Sequence, residues 1–209
     1  TRAVAFAGPV QGEPADAFAT LEAQLPALLA DIPEGSLDFE AVTLVWTDPA
    51  RLAEPLLLRA PRLYASRRVD GAQFSATLLL PARFGRTLFV AATLRHGAHP
   101  GAPFEGRLRL AGRGLALASW RQLGLLPAAL AGGGGDVTAA LQLRDGRVQL
   151  AEGGVRLARL ALAPPPPVVA RRFGATSAEF DFARLAGGGW RWRLRQTPTH
   201  RAIADASTL

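Results

Sequence analysis

At 209 residues and 49% apolar composition, the chain can bury the core of a β-rich domain and is too apolar for global disorder. Its net charge of +7 comes from 24 arginines without a single lysine; asparagine is absent too. With no cysteine and no apolar run near the roughly 18 residues of a membrane helix, disulfides, thiolate metal sites and a transmembrane helix are excluded. The arginine bias, beside abundant Ala, Gly, Leu and Pro, reflects GC-rich coding. The arginines are spread along the chain, mostly at alternate strand positions, whereas nucleic-acid binding clusters them among stacking aromatics. Nucleic acid is therefore not an expected partner; a basic face toward anionic lipid headgroups fits the pattern better. The chain starts at Thr1 and contains no Met, as a processed chain, a fragment or an excised domain would.

Ala3–Val10 reads as a strand and Pro14–Ala30 as helical, with Phe18, Leu21, Leu25 and Leu28 on one stripe and a kink at Pro26. Ser36–Trp46 is a strong strand whose apolar phase flips at Ala41-Val42. A β-bulge there would keep Leu37, Phe39, Val42, Leu44 and Trp46 on one face; the alternative is a strand end buried on both faces. Pro55–Tyr64 is a weaker strand, with Pro61 fitting an edge or a bulge. Asp70-Gly71 signals a hairpin into Ala72, Phe74, Ala76, Leu78 and Leu80, and Gly85-Arg86 turns into Leu88, Val90, Ala92 and Leu94. Two strands follow, Phe104–Leu110 and Leu115–Leu117. Ser119 and Gln122 have capping-box spacing for a short helix, and Gly132–Gly135 reads as a flexible link. Strands resume with Val137–Leu143, then an Asp145-Gly146 hairpin into Val148–Leu150, then Val155–Leu162. Pro164–Pro167 is a stiff connector, Ala178–Phe182 a strand, and Trp190–Arg195 a strictly alternating last strand before a frayed tail.

One phrase occurs twice. Gly106–Leu117 (GRLRLAGRGLAL) returns as Gly146–Leu157 (GRVQLAEGGVRL), each an alternation, a Gly-containing break and a second alternation. The expected fold is mainly β: an antiparallel meander curled into a groove, with two short helical insertions. The expected divisions are 1–35 (strand plus helical insertion), 36–195 (repeating β-groove segment) and 196–209 (tail).

Catalytic chemistry is not evident. His96 and His99 share a Gly/Pro loop with only Glu105 near in sequence, and His200 stands apart, so a metal site lacks its ligands. No nucleophile elbow, HExxH or P-loop occurs. Glu13, Asp16 and Glu22 read as the outward side of a helix, and Asp38 and Glu40 as the solvated side of a strand. Trp46, Trp120, Trp190 and Trp192 read as core aromatics rather than stacking platforms. No enzyme activity, cofactor or metal is expected.

Four stretches carry a resemblance. SLDFEAVTLVWTD (Ser36–Asp48) resembles the strand that opens a repeat in the AsmA-like family, of the YhdP type related to TamB. The stretch Pro55–Gly97 resembles that family's run of apolar strands and glycine turns. FEGRLRLAGRGLALASWRQL (Phe104–Leu123) and Gly132–Leu162 resemble its next two elements. Together they span about Pro26–Leu194; Pro164–Pro167, the tail and the family's N-terminal membrane helix have no counterpart. The resemblance implies an internal piece of a periplasmic protein anchored in the inner membrane of a Gram-negative bacterium. It implies a long curled sheet that carries phospholipid acyl chains on an apolar concave face toward the outer membrane, and no catalytic residues. The alternating positions suggest a lining of Phe74, Leu78, Leu80, Leu88, Val90, Leu108, Leu110, Leu141, Leu143, Val148 and Leu150. A closed core made by the same residues is the alternative, because strand parity does not separate the two. The competing function is a β-sandwich scaffold or protein-interaction module of the envelope. A membrane barrel is disfavoured, since one Tyr and four Trp cannot supply two aromatic girdles.

Overall fold

The computed structural model describes residues 19, 22, 23, 34–47, 52, 54–95, 103–123, 126, 130–162, 171–186 and 189–197. Ten strands form one sheet: β1 (Gly35–Trp46), β2 (Leu56–Arg68), β3 (Gly71–Leu79), β4 (Thr87–Arg95), β5 (Glu105–Ala116), β6 (Leu130–Arg144), β7 (Arg147–Leu162), β8 (Arg171–Phe173), β9 (Thr176–Arg184) and β10 (Trp190–Thr197). Helix α1 (Leu117–Gln122) lies between β5 and β6. The order is β1-β2-β3-β4-β5-β6-β7-β9-β10, with β8 paired to β7 and every pairing antiparallel. The fold is thus the expected meander, a curled groove-like sheet that does not close into a barrel. Strands consecutive in the chain are neighbours in the sheet except at β8, which pairs β7 while β9 also pairs β7. Asp145 and Gly146 at φ 54° and 68° make the tight turn between β6 and β7, and Val69 and Asp70 turn β2 into β3. The short β8 has no counterpart in the sequence reading.

The phase flip in the first strand is not the expected bulge against β2: the register between the two strands is the same on both sides of it, and one residue is skipped on each. Ala41 takes φ 52°, and the ladder runs from Glu40↔Arg62 to Val42↔Ala60 without pairing Ala41 to Pro61. On the other side of β2, the register to β3 slips between Arg59 and Leu63. Pro61 therefore sits at an irregularity inside the sheet rather than on an edge, where its missing N–H breaks no ladder bond. Leu63 and Ala60 then face the same cluster as Val42, Leu44 and Leu58.

Three further expectations are corrected. Gly132–Gly135 is not a link but part of β6. A Cβ on Gly133 would lie 2.9 Å from the Arg159 carbonyl oxygen, and one on Gly134 3.0 Å from that of Leu115. Gly133, Gly134 and Gly135 lie where neighbouring backbones come too close for side chains. The two strands expected over 104–117 are one strand, β5, broken by a bulge between Gly112 and Leu115. Ser119 is not an N-cap. Helix α1 starts at Leu117 with Ala116 as its cap residue and no side-chain cap, and the Ser119 hydroxyl donates to the Arg83 carbonyl at 2.6 Å.

Of the expected N-terminal helix, Ala19, Glu22 and Ala23 are helical. The Ala3–Val10 strand, the Phe18–Leu28 stripe, Pro26, the three histidines and Pro164–Pro167 lie outside the described residues, as does the tail beyond Thr197.

Candidate functional site

The register sorts side chains onto two faces of unlike chemistry. On one face two rows cross the sheet at right angles to the strands. The first reads Leu37, Ala65, Phe74, Ala92, Leu108, Leu141, Ala151, Phe182. The second reads Phe39, Leu63, Ala76, Val90, Leu110, Ala139, Gly153, Phe180. Neither row contains a polar side chain over eight strands. At about 4.8 Å per strand that is an apolar band roughly 35 Å long.

The band is flanked along its two sides, at the two ends of the strands, by buried clusters. At one end Leu56, Leu80, Phe84 and Leu123 are buried beneath α1, with Trp46, Leu88, Leu115 and Trp120 packed against them. Trp120 meets Phe84 edge-on with ring centroids 5.7 Å apart, and its indole N–H donates to the Phe84 carbonyl at 2.7 Å. The other end buries Leu94, Leu143, Val148 and Ala151, with Phe104 and Trp190 against them. Glu22 locks this end: its carboxylate accepts from the Val148 N–H at 2.7 Å and from the Arg184 guanidinium at 2.5 Å. Arg184 also donates to the Val148 carbonyl at 2.9 Å and lies 5.0 Å above the Trp190 ring. The expectation that Glu22 points to solvent is therefore wrong. Its side chain is only 16% exposed, because it accepts from a backbone N–H of β7 and from the guanidinium of the last residue of β9.

The eleven suggested lining residues divide accordingly. Leu78, Leu80, Leu143 and Val148 are buried in the clusters at or near the strand ends. Phe74, Leu88, Val90, Leu108, Leu110 and Leu141 are half-buried along the same face. Leu150 is on the opposite face. The ladder slips between Leu143↔Val148 and Gln142↔Leu150, so one extra residue, Gln149, turns Leu150 away and puts Ala151 against Leu141. Phe180, Phe182 and Ala139 belong to the apolar band and escaped the suggested lining. The phase change between Leu150 and Val155 is the signal that would have found the slip. Trp46, Trp120 and Trp190 are core aromatics as read; the Trp192 side chain lies outside the described residues.

The other face is polar, and a hollow runs along it. About 1750 Å³ in volume, it is walled by β5, β6, β7, β9 and β10 and carries arginines and carboxylates, Arg113, Glu152 and Asp181 among them. The hollow that the described residues form thus lies against the charged face rather than the apolar one, unlike the concave apolar face that the resemblance implies. Farther along, exposed Asp38 accepts from Arg62 Nε at 2.9 Å and also from its Nη2. That guanidinium holds the Asp38 carboxyl below its usual range, and Arg62 is held up in return.

Among the described residues no three His, Asp or Glu side chains gather as metal ligands, and no helix is long and apolar enough to cross a membrane. No family model, curated protein or solved structure matches the chain.

Proposed function

We propose that this chain is a segment of a bridge-like lipid transfer protein of the AsmA-like kind. Its apolar face holds phospholipid acyl chains and passes them along the sheet. The observation that carries this reading is the pair of apolar rows, unbroken over eight strands and running across them, the direction in which further strands would extend the path. Val90, Leu108 and Leu110 lie in the band half-buried, and no second sheet among the described residues packs on them. An acyl chain would complete that burial at about 0.8 kcal/mol per methylene, with no polar contact and no covalent chemistry. The parent protein would be anchored in the inner membrane through parts outside this segment and reach through the periplasm toward the outer membrane. Enzymatic chemistry has no role in this reading.

Lipid extraction and native mass spectrometry of the purified chain test it. Phospholipid should co-purify, and the paired substitution Val90→Glu with Leu110→Glu should abolish it while circular dichroism still reports a sheet. Folded protein that yields no phospholipid would sink the proposal. The second reading, a non-enzymatic scaffold or interaction module of the envelope, is favoured by the buried clusters that flank the band at both strand ends and by the Glu22 lock. It gains if the half-buried band proves already sealed against lipid.

A further inference from the structure

The polar hollow is unevenly charged. Toward β9 and β10, Arg193 and Arg195 stand directly across from Asp181 and Glu179, so charge is balanced strand by strand. Toward the start of β4 and the bulge of β5, four arginines, Arg86, Arg113, Arg156 and Arg159, surround a single carboxylate, Asp136. None of the four makes an ion pair within 4 Å of a described residue.

This crowding is built by the backbone. The Arg86 N–H donates to the Arg113 carbonyl at 3.0 Å, which ties the first residues of the β4 hairpin to the β5 bulge and sets the two arginines side by side. Gly114, at φ 59°, carries no Cβ, and the Arg86 Cγ and Cδ lie 3.0 and 3.2 Å from where one would be. The Arg86 stem is thereby laid over the bulge. Asp136, the one acid, is already engaged by the Gly114 N–H at 2.8 Å. Arg156 stands opposite Asp136 in the ladder, and Arg159 enters the wall from a left-handed backbone conformation, φ 53°, that non-glycine residues seldom adopt. Gathering guanidiniums around one satisfied carboxylate costs Coulomb energy that a bound anion would remove. Planar guanidiniums pair two-fold with the oxygens of a phosphate, and a dianion matches an excess of positive charge better than a carboxylate does.

We infer that the Arg86–Arg113–Arg156–Arg159 end of the polar hollow is a phosphate-binding site, for a phosphate monoester or inorganic phosphate that is either free in solution or, as a monoester, borne on a lipid headgroup. It stands on the opposite face from the acyl-chain band and does not depend on that reading.

The test is a titration of the full chain with inorganic phosphate against chloride at constant ionic strength, followed by amide resonances. Saturable shifts should centre on residues 113, 114 and 156. Arg113→Gln and Arg156→Gln, singly, should each weaken the fitted affinity about tenfold, the worth of one charge-assisted pair. Arg191→Gln, on the same face but outside the hollow, should leave it unchanged. In parallel, flotation with phosphatidylcholine vesicles containing phosphatidic acid identifies the source: capture lost in the two variants points to a headgroup, and shifts without capture point to a soluble phosphate. The inference falls if phosphate gives no saturable shift and the vesicles capture nothing. It falls equally if Arg191→Gln weakens binding as much as the other two.

Discussion

The two copies of the repeated phrase meet different fates. In β5 the glycine break Gly112-Arg113-Gly114 becomes a bulge: the ladder to β6 slips there, and Gly114 takes a left-handed turn. In β7 the corresponding break is regular strand, Gly153 pairing with Ala139 and Phe180, and Gly154 with Thr138 and Glu179. The second glycine pair serves space rather than conformation. A Cβ on Gly153 would meet the Thr138 carbonyl oxygen and lie 2.7 Å from the Phe180 ring. The tails diverge as well. Leu115-Ala116 leads into α1, where the Ala116 N–H and the Trp120 indole both donate to the Phe84 carbonyl, at 3.0 and 2.7 Å. Val155-Arg156 simply continues as strand. A glycine break in an alternating sequence is permission for a bulge, and the neighbouring strands decide whether it is used.

Substitutions separate these uses. The largest effect is expected at Gly153→Ala, where backbone and an aromatic ring must both move, at about 2–3 kcal/mol of overpacking read from the urea midpoint. Gly114→Ala should cost about 1–2 kcal/mol, because its strain is conformational and the obstruction is a flexible arginine stem. The same variant should displace Arg86 and so weaken phosphate binding, an effect that Gly153→Ala should not have. Trp120→Phe removes one hydrogen bond and the pyrrole half of the indole while keeping an aromatic ring against Phe84, so about 1–2 kcal/mol is expected from thermal unfolding. Gly154→Ala should be nearly silent, within about 0.5 kcal/mol, since the nearest atoms to its Cβ would be 3.6 and 3.7 Å away. If Gly153→Ala and Gly154→Ala were equally costly, the second break would be conformational like the first, and the contrast would collapse.

How far the sequence could be read follows the same division. The change of face at Ala41 was legible because the apolar phase visibly flips there; that Pro61 faces it across an unshifted ladder, with no residue inserted between β1 and β2, was not. The turn at Asp145-Gly146 was legible because its residues tolerate positive φ. Gly132–Gly135 was misread, because a run of glycines looks the same as linker or as close-packed strand; only the Arg159 and Leu115 carbonyls beside it settle which. Leu150 was assigned to the wrong face by a bulge one residue long. Glu22 looked like a solvated helix acid, since its partners Val148 and Arg184 are 126 and 162 residues away.

Alternation, hairpin signals and the twofold phrase determined by themselves an antiparallel meander with one apolar and one charged face, because side-chain direction in a strand is fixed by parity. The tertiary structure alone decided where parity is reset, where buried clusters flank the apolar face, and that four arginines meet at one end of the polar hollow. Those outcomes depend on register between strands distant in sequence. A single inserted residue reverses a strand's faces while leaving local composition unchanged.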